Sequence, residues 1–152
     1  NNDRIVQLQE LVKEYEPLSL TTLDYKKEEE IIEVSSKNSS IQDTKSEKYT
    51  NYILVNQTSK HRENVIVWNL EGKYNELSGK ICLSKKIKKI TSKGVKVTVY
   101  GNNKVIYRSK KIKDKTNPFM FNIDVTGVTE LKIVLESDKG ISYFIGNPIL
   151  SK

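Results

Sequence analysis

Few residues in this chain could do covalent chemistry. There is one histidine, His61, and one cysteine, Cys82. A thiol–imidazole pair needs a third group to orient it. Cys82, however, lies between Ile81 and Leu83 in an apolar run and reads as a packed small residue. His61 and Arg62 sit in the polar stretch QTSKHREN, where a histidine with no second ligand nearby is simply solvated. Without a second histidine or a cysteine pair, neither a His-based metal site nor a zinc site assembles, and no cofactor is expected. The acidic run Glu28-Glu29-Glu30 follows Lys26-Lys27 and reads as a solvated face. A glycosidase's two carboxylates meet in space rather than in order, and nothing here singles out a pair. The chain therefore reads as a non-enzyme, and the chemistry left to it is recognition.

Sugar recognition uses an exposed aromatic face against the apolar side of a pyranose, with amide, carboxylate or backbone groups on its hydroxyls. Four residues are candidates. Tyr100 should face outward at a strand end and could serve as a stacking platform. Tyr143 and Phe144 are strand neighbours, so one should point inward and the other outward. Asn147 lies close by in the same turn-rich stretch. Trp68 alternates with Ile66 and Leu70, which places it in the core, and Tyr74 reads as core as well.

The net charge is +7, and lysine supplies nearly all of it, since the only arginines are Arg4, Arg62 and Arg108. Specific nucleic-acid readers favour arginine for its bidentate fork, so nucleic acid is not the expected partner. Two basic strips stand out: Lys80, Lys85, Lys86, Lys88, Lys89 and Lys93, then Lys104, Arg108, Lys110, Lys111, Lys113 and Lys115. Aligned on neighbouring strands, they would form a cationic ridge binding wall polymers, lipid headgroups or nucleic acid in a salt-dependent way. The alternative is an ordinary solvated surface.

Elements to position these residues follow from periodicity. The segment DRIVQLQELVKEYE at 3–16 reads as a helix with Asp3 as its N-cap. Ile5, Leu8, Val12 and Tyr15 recur at heptad spacing, and Pro17 ends the pattern. Such a short helix either packs on its own domain or ends a longer stalk through which the chain forms a homo-oligomer. From residue 18 the period changes to two: Leu18, Leu20 and Thr22 alternate, and Ile31, Ile32 and Val34 form a short apolar stretch. The Ser-, Lys- and Asn-rich stretch 35–48 reads as a surface loop. Strand patterns follow at 49–55, 65–70, 77–83, 95–100, 105–112, 119–125, 131–135 and 141–150. Gly101-Asn102-Asn103-Lys104 and Thr126-Gly127 mark tight turns between them. Short, evenly spaced strands without helical crossovers predict an all-β sandwich over 18–152, with a helical appendage over 1–17. No apolar run approaches the roughly 20 residues of a membrane-spanning helix. The chain opens Asn1-Asn2-Asp3 without an initiator methionine, so an export signal or anchor is expected upstream.

Five segments fall in a familiar order: LTTLDY at 20–25, KYTNYI at 48–53, VWNLEGKYNELSGKI at 67–81, GVKVTVYGNNKVIYRSKKI at 94–112 and FNIDVTGVTELKIVLES at 121–137. Together they resemble the NPCBM family of carbohydrate-binding-module domains in bacterial surface proteins and glycosidases. The resemblance covers roughly residues 18–150. It implies a jelly-roll sandwich of the galactose-binding-domain type and an accessory, non-catalytic role. It also implies a glycan or cell-wall polysaccharide partner and a place outside the cell or on the surface of a Gram-positive bacterium. The chain departs from the family near its end. After Gly140-Ile141-Ser142-Tyr143, relatives often continue Asp-His-Ala-Asp-Trp, whereas this sequence reads Phe144-Ile145-Gly146-Asn147-Pro148.

Overall fold

The computed structural model describes residues 2–27, 32–35, 39–55, 63–85, 94–112, 118–137 and 141–152, with only the backbone of 12–15. His61, Arg62, Glu28-Glu29-Glu30, Ile31, Lys86, Lys88, Lys89, Lys93, Lys113 and Lys115 lie outside the described residues.

Period-two alternation of side chains organises the molecule. In β7 (Glu63–Asn69), Asn64, Ile66 and Trp68 are buried while Glu63 and Asn69 are exposed. In β12 (Glu130–Ser137), Leu131, Ile133, Leu135 and Ser137 lie on the same inner side. A strand with one apolar face must bury it against a second layer. Two antiparallel sheets do so here. One runs in the order β11 (Phe119–Asp124), β8 (Glu76–Leu83), β13 (Tyr143–Ser151), β6 (Tyr52–Val55), β3 (Ile32–Ser35), with β1 (Leu18–Ser19) also paired to β13. The other runs β10 (Lys104–Arg108), β9 (Val95–Gly101), β12, β7, β2 (Tyr25–Lys27). The molecule is thus an antiparallel β-sandwich, as the resemblance implies. Its core gathers Trp68, Leu77, Ile81, Val97, Leu131, Ile133 and Tyr143 from the two inner faces. Each fully buried aliphatic side chain contributes about 1.5–3 kcal/mol.

The helix α1 spans Asn2–Tyr15, close to its expected limits. Two expectations are corrected. The alternation at Leu18–Thr22 does not make one strand: β1 stops at Ser19, and Leu20–Thr22 form a 3₁₀ turn. The Thr22 hydroxyl donates to the Ser19 carbonyl (2.7 Å) and the Leu23 N–H to the Leu20 carbonyl (3.2 Å). These local bonds close the turn and drop Leu20 into the core.

The polar stretch 35–48, expected as a loop, contains a small hairpin, β4 (Ile41–Gln42) paired with β5 (Lys48–Tyr49). Asp43 is its hub and is fully buried. Its Oδ1 accepts the N–H of Lys45 (2.8 Å) and of Glu47 (3.1 Å), and its Oδ2 accepts the Tyr49 hydroxyl (2.8 Å). A buried carboxylate with three donors is solvated by protein instead of water. The hairpin lies over the outer face of the first sheet. There Tyr49, Tyr52, Leu54, Cys82 and Phe144 form a second apolar cluster outside the sandwich interior.

Candidate functional site

The four sugar-site residues expected from sequence occupy four separate places. Tyr143 and Phe144 do point to opposite faces of their strand, as alternation requires. Both rings are nevertheless fully buried (0%). Tyr143 lies in the main core. Phe144 lies under the hairpin, with its ring centroid 5.2 Å from that of Tyr49 in an edge-to-face pair. The expected exposure of one of them is corrected, because the hairpin covers the outer face, and neither ring offers a stacking surface. Asn147 is exposed at a bulge in β13, in the left-handed region at φ 49°, and its N–H donates to the Asn51 carbonyl (2.9 Å). Tyr100 is half-buried on the outer face of the other sheet, with the Lys132 ammonium 4.5 Å from its ring centre. Trp68 is a core residue, 1% exposed, and Tyr74 packs half-buried against the core. Cys82 is packed as expected, and burial pushes its thiol up to about 12.

Half of the residues of the two basic strips are among the described ones. Lys80 is on β8 in one sheet, 3.4 Å from Glu47 and above the Tyr49 ring. Lys104 and Arg108 are on β10 at the edge of the other sheet. Strand pairing therefore does not join Lys80 to Lys104 and Arg108.

The structure instead assembles a cleft of about 540 Å³ where β2 begins, β7 ends and β12 begins. That size falls in the roughly 300–1,000 Å³ range of small-ligand sites. Tyr25 and Trp68 are direct cross-strand partners, so both project to the same side of their sheet. Their rings lie 6.4 Å apart at a tilt of 54°. Trp68 is sealed in, but Tyr25 sits on the edge strand and keeps 37% of its surface exposed. The indole Nε1 of Trp68 is buried with no hydrogen-bond acceptor among the described residues. A buried donor left unpaired costs about 1–3 kcal/mol.

Polar groups ring the aromatic pair: Asp24, Lys26, Asn69, Thr129 and Glu130. Turn chemistry fixes two sides of that ring. Asn69 Oδ1 accepts the Glu71 N–H (2.9 Å), and the Leu70 N–H donates to the Thr129 carbonyl (2.7 Å). Asn102, in the β9–β10 turn, is the clamp. Its Oδ1 accepts from the Thr129 N–H (2.9 Å), the Thr129 hydroxyl (2.8 Å) and the Glu130 N–H (3.1 Å). Its Nδ2 donates to the Gly127 carbonyl (3.2 Å). The carboxylates of Asp24 and Glu130 have no ion-pair partner among the described residues. Sequence reasoning did not single out Tyr25 or the cleft. The one available signal was Tyr25 as an aromatic next to Asp24 on a short edge segment.

Among the described residues, no group of three or more His, Cys, Asp or Glu side chains is placed to hold a metal ion. No described helix is long and apolar enough to cross a membrane.

The sandwich thus carries a polar-rimmed cleft with an exposed tyrosine at one end. The chain belongs to the NPCBM/NEW2 domain family, whose model matches residues 17–144. Solved structures agree on the fold. The CBM51 module of a Clostridium perfringens GH95 protein, determined with methyl-galactose, superposes with a TM-score of 0.66 at 18% identity, over 90% of this chain and 100% of that one. A structure of the CBM51-2 and INT domains of Clostridium perfringens ZmpB gives a TM-score of 0.70 at 15% identity, over 90% of this chain and 32% of that one. Tandem CBM51 modules of a family 98 glycoside hydrolase from Streptococcus pneumoniae give 0.69 at 12% identity, over 89% of this chain and 46% of that one. No curated protein matches the sequence at a significant level.

Proposed function

We propose that the chain is a non-catalytic carbohydrate-binding module of a bacterial cell-surface or secreted protein, and that the Tyr25 cleft takes a neutral sugar. One observation carries the reading: a tyrosine ring, 37% exposed and backed by a buried tryptophan, lines a cleft rimmed by polar groups. The Tyr25 face suits the apolar side of a pyranose, with the buried Trp68 ring backing it. Asp24 and Glu130 supply acceptors for sugar hydroxyls, and both disfavour an acidic sugar. Membership of the NPCBM family and the methyl-galactose held by a structurally similar module support the same class of ligand.

Calorimetric titration with a panel of neutral methyl glycosides, methyl-galactoside first, tests this. Binding should weaken tenfold or more, about 1.4 kcal/mol, in Tyr25→Ala with the thermal transition unchanged. Tyr100→Ala should bind as the parent does. Flat traces across the whole panel would remove the proposal.

A second reading, an interaction domain acting through its helix, is favoured by α1. There Ile5, Val6, Leu8 and Leu11 are all exposed, Leu8 at 62%. The partner that suits them is a second copy of the chain, because β-branched Ile5 and Val12 alternate with Leu8 in the order of a two-stranded coiled coil.

A further inference from the structure

A second cleft, of about 430 Å³, lies beside the β4–β5 hairpin on the outer side of the first sheet. We propose that it is a separate saccharide subsite that takes a sugar bearing a carboxylate, such as a uronic acid. The proposal does not depend on the Tyr25 cleft, which belongs to the other sheet and carries the opposite balance of charge.

The floor is apolar: Tyr52 and Leu54 are buried, and Ile41 packs against the same cluster. The Tyr52 hydroxyl lies 2.6 Å from Ser39 Oγ and donates to Glu33 Oε1 at 3.3 Å. Glu33, the only acidic side chain lining the cleft among the described residues, is thereby engaged from below. The other two charged groups on the lining are Lys48 and Lys85. Both are exposed, and neither has a carboxylate partner among the described residues. The charge left over is positive. Ser40, Gln42 and Ser142 add groups able to bind hydroxyls.

The walls are fixed before any ligand arrives. Asp43 anchors the hairpin from within, as described above. The Lys85 N–H also donates to the Gln42 carbonyl (2.9 Å), and Asp43 bridges to Ser84, so the hairpin is tied to the end of β8. Preorganised walls reduce the ordering cost of binding. An inorganic anion would leave the apolar floor and most of the volume unused, and a neutral sugar would leave the two ammonium groups unused. A sugar carboxylate uses all three features through charge-assisted hydrogen bonds at the rim.

Chemical-shift mapping on the ¹⁵N-labelled chain, with D-glucuronate titrated at low salt, tests the proposal. Methyl glucoside and inorganic phosphate are titrated in parallel. Glucuronate is expected to move the amides of Gln42, Lys48 and Lys85, and to do so more weakly as salt is raised. In the double variant Lys48→Gln/Lys85→Gln, both changes being on exposed side chains, the affinity should fall about tenfold with the dispersed spectrum retained. Tyr25→Ala should leave these shifts in place. Equal shifts from phosphate would reduce the cleft to an anion patch, equal binding of methyl glucoside would show that charge plays no part, and no shift at all would overturn the proposal. Failure here with neutral glycosides still binding at Tyr25 would overturn this subsite alone. Failure at Tyr25 with glucuronate still shifting the hairpin would do the reverse.

Discussion

Gly146 shows how one side chain's absence shapes the outer layer. A Cβ placed there would lie 2.6 and 2.7 Å from two carbons of the Tyr49 ring. The ring therefore packs onto bare backbone, and Gly146→Ala should cost about 1–3 kcal/mol by overpacking. Thermal melts of the single variants and of Gly146→Ala/Tyr49→Ala check this, because most of the penalty should vanish when the ring is gone. Tyr49 also predicts an alkaline weakness. Burial, then the hydrogen bond to Asp43, pushes its phenol well above its ordinary value, and burial raises the neighbouring Cys82 thiol from 9.0 to about 12. Both groups are neutral when protonated, and the folded state holds their protons longer than the unfolded chain does. Their contribution is therefore complete below pH 9.0 and is lost as the pH rises towards 12. Denaturant titrations at neutral pH and within that window should show the parent losing stability. Tyr49→Phe should lose less with pH, yet start about 1–3 kcal/mol lower because Asp43 Oδ2 has lost its donor. A thiol reagent should modify Cys82 only as the chain unfolds.

Turns set the cleft at the scale of elements, and the β9–β10 turn is the decisive one. Asn102 and Asn103 both sit in the left-handed region, at φ 51° and 66°, which Gly or Asn adopts at least cost. Asn102→Gly keeps that backbone and deletes the clamp on Thr129 and Glu130. It should lower stability by about 1–3 kcal/mol and weaken neutral-sugar binding, while Asn103→Gly should do neither; melts and calorimetry on the pair decide. The turn itself was legible, since Gly101-Asn102-Asn103-Lys104 stands between two alternating runs. The clamp was not, because its partners at 127–130 reach Asn102 only when β12 pairs with β9. The same reason hides the cleft, whose Tyr25, Trp68 and Glu130 come from three distant strands. Long alternating runs such as Val95–Tyr100 and Leu131–Leu135 fixed their strands from sequence alone. The β4–β5 hairpin did not announce itself: its strands are two residues each, its composition is polar, and its apolar contacts come from Ile41 and from Tyr49 reaching across to Phe144. Missing that cover is why the outward-pointing Phe144 read as a candidate platform.

Across the whole molecule, the sandwich is complete without α1. A helix of 14 residues is at the lower limit of what holds together alone in water, and this one carries exposed Ile5, Val6, Leu8 and Leu11. Its sequence holds Asp3, Arg4, Glu10, Lys13 and Glu14, a balance on the acidic side that does not favour an anionic membrane. A second helix of the same kind would satisfy it: in the sequence, Ile5 and Val12 at one heptad position with Leu8 at the other is the order that favours parallel pairs. Two heptads give a weak pair, so sedimentation velocity of the full chain should show association that grows with concentration. Ile5→Glu/Leu8→Glu should sediment as a monomer at every concentration and keep the thermal transition of the sandwich. Pairing would also place two sugar clefts on one particle, so on a glycan-coated surface the parent should be retained longer than the variant, while both bind a free methyl glycoside equally. A parent that stays monomeric throughout would show that the exposed seam of α1 meets something other than itself.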